Sequence, residues 1–155
     1  MSSDPKAQVV ALLKSIETGE AAPVAVVNPA KYIQHNLAVG DGLAGFGAVL
    51  QALPKGSAKV NTVRVFQDGE FVFAHTEYNF FGPKIGFDIF RFEGGKIVEH
   101  WDNLQETPAK PNPSGRTMID GPAVHRCRDR RGRPPDRVPG DGVVRHTPQC
   151  RLRDG

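Results

Sequence analysis

The sequence predicts an α+β domain, with helices first and an antiparallel sheet packed against them. Three observations predict it. Apolar residues up to position 53 recur with a helical period, those from Val60 onward alternate with polar ones, and glycine turns cut the alternating part into hairpins. Helices gathered on one side of an antiparallel sheet make a two-layer domain. If the sheet curls around them, its concave side encloses a cavity.

The elements follow in order. Asp4-Pro5 reads as an N-cap followed by proline at the first helical position. Val9, Leu12, Leu13 and Ile16 then form one apolar stripe, and Gly19 stops the helix. A short second helix is expected over 22–27, ended by Asn28-Pro29. In KYIQHN, Tyr32 and His35 share a face if the segment is helical. Asp41-Gly42 opens a third helix, with Leu43, Phe46, Val49, Leu50 and Leu53 on its expected buried side. Pro54-Lys55-Gly56 ends it.

Strands are expected over 60–66 and 71–78, turning at Gln67-Asp68-Gly69, and NFFGPK (79–84) crosses to a central hairpin over 85–104. A three-residue loop, Glu93-Gly94-Gly95, would set Asp88 opposite His100 and Gly86 opposite Asp102. Asp88, Phe90, Phe92, Val98, His100, Asp102 and Leu104 would then share one face. A two-residue loop would slip the register by one and separate Asp88 from Asp102. The opposite face, with Phe87, Ile89 and Trp101, is equally apolar, so both faces are expected to be covered and the outer patch suits a homodimer contact.

Charge divides the chain. Residues 1–121 carry 11 Lys and Arg against 13 Asp and Glu, whereas 122–155 carry 9 against 4. That tail lacks Lys, Glu, Ile, Met and every aromatic residue, and both cysteines, Cys127 and Cys150, lie in it. Its Arg, Pro and Gly follow no period, as expected of disorder or of GC-rich DNA translated out of frame. A nucleic-acid-binding arm is disfavoured, because no aromatics interleave for stacking. The division expected is therefore a folded domain over 1–121 and a tail over 122–155. No apolar run approaches membrane-spanning length and no signal pattern opens the chain, so a cytoplasmic location without membrane contact is expected by default.

CxxC pairs, HExxH and GxSxG are absent from the sequence. A metal site from His35, His75, His100 and Asp102 has no support from spacing, and no metal or cofactor is expected. Two carboxylates and an imidazole among Phe, Val and Leu on one sheet face need pairing, solvation or a function. An acid in an apolar hollow has its pKa raised by desolvation, toward the range of a working base.

The run RFEGGKIVEHWDNLQ resembles the signature hairpin of SnoaL-like proteins, within the nuclear transport factor 2-like superfamily. YIQHN followed by DG, a helix and strands is similar to the aldol-condensation-type subgroup, and the likeness covers about residues 5–107. It implies a cone-shaped α+β barrel with three N-terminal helices in a curved antiparallel sheet of about four strands. It also implies a dimer, and a pocket for a small hydrophobic ligand. In the family's polyketide cyclases an Asp at the position of Asp102 is the acid/base that closes a ring by an intramolecular aldol, without metal or cofactor. His100 or Tyr32 would be the oxyanion donor, and Asp88 stands where cyclases tend to carry His. Two carboxylates there would share a proton. The expected catalytic group is Asp102, His100 and Asp88. Tyr32, His35, His75 and Phe90 are the candidate ligand contacts, His75 suiting core or interface as well. The implied function is cofactor-independent aldol, cyclase or isomerase chemistry on a small or polycyclic carbonyl compound. The alternative is a non-catalytic binding domain of the same fold.

Overall fold

The computed structural model describes residues 4–54 and 56–123. The 122–155 tail, with Cys127 and Cys150, lies almost wholly outside the described residues. Helix α1 spans Pro5–Thr18, started by Asp4, whose side chain accepts the backbone N–H of Lys6 at 3.0 Å. It ends at Gly19, where φ is +72°, a left-handed C-cap suited to glycine. Val9, Leu12 and Leu13 are buried, as the stripe predicts.

The second helix is a single 3-10 turn, Ala22–Val26. Proline and three β-branched valines in APVAVV do not favour a longer α-helix. Helix α2, Gly42–Ala52, forms where expected, but none of its residues is buried. The expected buried side is thus corrected. One edge of α2 (Gly45, Phe46, Ala48, Val49, Ala52) lines a cavity, and Leu43 and Leu50 line a second hollow behind it.

Among the described residues five strands form one mixed sheet, in place of about four antiparallel ones. They are β1 (Ile33–Gln34), β2 (Lys59–Asp68), β3 (Phe71–Asn79), β4 (Pro83–Glu93) and β5 (Lys96–Glu106), in the order β1-β5-β4-β3-β2. The extra strand β1 runs parallel to β5, pairing Ile33 with Glu99 and Gln34 with His100. KYIQHN is therefore extended rather than helical at this point.

The central hairpin also departs from the expected register. Glu93 pairs with Lys96 across a two-residue Gly94-Gly95 turn. Both glycines have positive φ, +56° and +78°, as a type I′ turn requires. This turn alone would set Asp88 opposite Trp101. A bulge restores the face: Phe92 pairs with Ile97 but Arg91 with Glu99, which leaves Val98 as the extra residue. Asp88 then pairs with Asp102, Phe90 with His100 and Gly86 with Leu104. Two one-residue corrections of the same sign leave Asp88 and Asp102 on one face after all.

The core lies between α1 and the inner face of β2–β5. Val9, Leu12 and Leu13 meet Val60, Val65, Val72, Ala74, Phe90 and Ile97 there. Gly86, on that inner face, makes room for the ring of Tyr78. A Cβ at position 86 would stand 2.7 Å from Tyr78 Cε2 and 2.7 Å from Leu104 Cδ2. Gly86→Ala is expected to destabilise the fold by about 1–3 kcal/mol, the usual effect of overpacking. Urea denaturation would read this as a lower midpoint at unchanged slope.

Candidate active site

The site is built where β4, β5 and β1 run side by side. Antiparallel pairing sets Asp88 opposite Asp102, and Phe90 opposite His100 with their rings stacked at 4.5 Å. Parallel pairing of β1 brings a second set of groups. Gln34 lies beside His100 and Asn36 beside Asp102, each pair 66 residues apart in the chain. Alternation then turns Tyr32, Gln34 and Asn36 inward and His35 outward.

Asp88 is 3% exposed, and each of its oxygens has a partner. Tyr78 Oη donates to Oδ2 at 2.7 Å, and His100 Nε2 lies 3.1 Å from Oδ1. Nδ1 of His100 lies 2.9 Å from Gln34 Oε1. Both imidazole nitrogens are thus committed within the protein, and the hydrogen-bond partners of Asp88 are His100 and Tyr78 rather than Asp102. Burial, followed by the neighbouring Asp88 charge, pushes the Tyr78 hydroxyl far up, so it remains a donor.

Asp102 is half-buried. Asn36 Nδ2 donates to its Oδ2 at 2.6 Å, and Oδ1 has no hydrogen-bond partner among the described residues. Burial raises its pKa above the ordinary aspartate value, opposed by the Asn36 hydrogen bond and His100 and reinforced by Asp88. The carboxylate lines a cavity of about 500 Å³ whose apolar wall includes Leu12, Leu13, Phe46, Val49, Phe80 and Phe90. Tyr32 is also buried and lines it, and burial pushes its hydroxyl pKa up.

Of the seven expected residues, Asp88, His100, Asp102, Tyr32 and Phe90 line this cavity. His35 and His75 do not. His35 stacks on Trp101 at 4.9 Å and bonds Glu99 at 3.0 Å on the outer face, because an extended segment puts it opposite Tyr32 in direction. His75 also faces outward, stacked on Phe87 at 4.3 Å. Its Nδ1 accepts from Arg64 at 3.1 Å, and its Nε2 is buried without a partner among the described residues. Burial and the Arg64 charge lower its pKa, so it stays neutral. The four-residue metal set is not assembled. Asp88, His100 and Asp102 do each place one ligand atom within 4.8 Å of the others. Two of the three already contact each other, His100 Nε2 lying 3.1 Å from Asp88 Oδ1.

Gln34, Asn36 and Tyr78 were not singled out by the sequence. Reading YIQHN with a period of two would have found the first two, and the alternation of Val72, Ala74, Thr76 and Tyr78 would have found the third.

No family model matches the chain, and neither does any curated protein. Solved structures do match. A nuclear transport factor 2-like protein of unknown function from Burkholderia xenovorans superposes with a TM-score of 0.56 at 14% identity, over 68% of this chain and 86% of that one. The chain has the nuclear transport factor 2-like fold. IdmH of Streptomyces antibioticus, provisionally assigned as a polyketide cyclase, matches with a TM-score of 0.54 at 16% identity, covering 66% of this chain and 93% of that one. TsrD of Streptomyces laurentii gives 0.52 at 19% identity, over 66% and 92%. Among the described residues no helix is long and apolar enough to cross a membrane.

Tyr78→Phe removes the donor to Asp88 Oδ2 and leaves a buried acceptor unpaired. A loss of about 1–3 kcal/mol in chemical denaturation is expected. Tyr78→Phe combined with Asp88→Leu should recover part of it.

Proposed function

We propose that the protein is a cofactor-independent SnoaL-like catalyst of acid/base chemistry on a small or polycyclic carbonyl compound, with Asp102 as the base. The observation that carries this reading is the carboxylate itself. It is half-buried in an apolar cavity, has a raised pKa, and has one oxygen free of hydrogen bonds among the described residues. A desolvated carboxylate is a stronger base than one in water and can return the proton it takes.

In this reading Asp102 Oδ1 removes a proton from the carbon next to a carbonyl. The C–H electron pair moves into the new carbon–carbon double bond, and the carbonyl oxygen becomes an enolate. Tyr32 stabilises that oxygen by a hydrogen bond. His100 is not the donor for this task, since both its nitrogens are engaged. The enolate carbon then attacks a second carbonyl, and Asp102 gives its proton to the new alkoxide; reprotonation at another carbon would give an isomerisation instead. Asp88, His100 and Tyr78 hold the floor against which Asp102 and its ligand rest.

The test needs no knowledge of the natural substrate. In D₂O the protein should catalyse α-proton exchange on an enolisable polycyclic 1,3-dicarbonyl probe. Asp102→Asn should lower that rate by about 10²–10⁴-fold, the usual worth of a general base, while binding persists. Equal exchange by both proteins would leave the non-catalytic binding domain as the reading. The rate should fall with acidity as Asp102 is protonated, with a midpoint above the ordinary aspartate value of about 4. The sign for stability is opposite. A carboxyl whose folded pKa is raised opposes folding once ionised, so Asp102→Asn should be at least as stable as the parent at neutral pH, and this advantage should vanish in acid.

We also propose that the outer face is a homodimer contact. Phe66, Phe73 and Phe87 are exposed there at 52%, 41% and 59%, beside Ile89 and Trp101. Phe87→Glu is expected to halve the mass measured by light scattering, and an unchanged mass removes the dimer from this face.

A further inference from the structure

Gln34 is engaged at both ends of its amide. Its Oε1 accepts the backbone N–H of Asn36 at 3.0 Å and lies 2.9 Å from His100 Nδ1. Its Nε2 points at Tyr32 Oη across 3.4 Å, a long contact. A backbone N–H can only donate, so flipping the amide would set two donors against each other. The orientation is therefore fixed by Asn36, not by the imidazole. Two consequences follow. His100 Nδ1 must carry a proton, and the Tyr32 oxygen faces a donor, so its own proton is directed elsewhere. Tyr32 is 6% exposed and lines the cavity, and no acceptor among the described residues takes that proton.

We propose that Gln34 is the positioning residue of the site: by presenting an N–H to Tyr32 and an oxygen to His100, it reserves the tyrosine proton for an oxygen of the ligand. The assignment rests on the reading that the cavity takes oxygenated ligands, and it adds a prediction of its own. A donor at Tyr32 and a free acceptor at Asp102 face one cavity. A neutral phenol, which accepts at its oxygen and donates its O–H, fits both groups.

The decisive variant is Gln34→Glu. It keeps the shape but offers an acceptor to Tyr32, which would then spend its proton on the protein. The probes are 2-naphthol and naphthalene, matched in shape and differing by the hydroxyl. Gln34→Glu is expected to weaken 2-naphthol at least tenfold and to change naphthalene by less than twofold. The ¹³Cζ resonance of Tyr32, read without any ligand, should move. An unchanged ratio of the two affinities, or an unmoved Tyr32 resonance, overturns the proposal. If the parent binds neither compound, the oxygenated-ligand reading fails by itself. The Tyr32 resonance then still decides the hydrogen-bond assignment. Should Gln34→Glu not fold, Gln34→Met removes both contacts. Long-range ¹H–¹⁵N spectra should then show the His100 proton redistributed between its nitrogens. His100 and Tyr32 signals identical to the parent would refute the role.

Discussion

A carboxylate with 3% of its surface in contact with solvent must be paired, and much of this structure follows from how Asp88 is paired. Leaving a buried charge without partners costs several kcal/mol, comparable to the whole stability of a small domain. Tyr78 supplies one hydrogen bond and His100 the other contact. Each partner imposes a condition. Tyr78 reaches Asp88 only because position 86 has no side chain, and His100 reaches it only if β5 is in one register against β4. The bulge at Val98 supplies that register. The tyrosine, the glycine, the bulge and the imidazole are thus one constraint seen from four residues.

Asp102 sits opposite Asp88 under different terms. It is half-buried, has a single side-chain donor in Asn36 among the described residues, and lines the cavity. The pair of facing carboxylates is asymmetric: one is saturated with partners and the other is left under-satisfied. A fully satisfied buried acid holds a structure rigid, whereas a partly satisfied one retains a drive to bind a proton. That division of labour could not have come from the sequence, in which both residues are aspartates on one expected face.

How much was legible in the chain depended on the range of the interaction concerned. The Asp4 cap, the stripe from Val9 to Ile16 and the strand alternation after Val60 are local patterns, and each element formed. The shared face of Asp88, His100 and Asp102 was also legible, although the turn predicted for it was wrong. The two-residue Gly94-Gly95 turn and the Val98 bulge each shift the register by one residue in the same direction, which preserves the face, and a bulge has no reliable local signature. The failures were long-range. Nothing in YIQHN announces that it will lie parallel to a strand 66 residues later, so a helical reading placed His35 with Tyr32 and overlooked Gln34 and Asn36. Likewise, the apolar residues of α2 look like a core helix by composition, yet they are only partly buried: Leu43 and Phe46 pack against the core while the helix also borders hollows.

Strand β1 has a mechanical consequence. Among the described residues β1 is two residues long, Ile33 and Gln34 pairing with β5 and His35 N–H adding a bond to His100 O at 3.0 Å, yet this short splice carries Tyr32, Gln34 and Asn36, the residues that complete the polar end of the cavity. The hairpins beneath it are held by ladders of nine or more pairs. Short, weakly anchored segments detach at lower free energy than the sheet to which they are fastened. The polar constellation can therefore come apart while the sheet beneath it stays folded, and on warming it would do so before the global transition. Protection of the 32–36 amides from hydrogen exchange, rather than the global transition, would track how long the site survives.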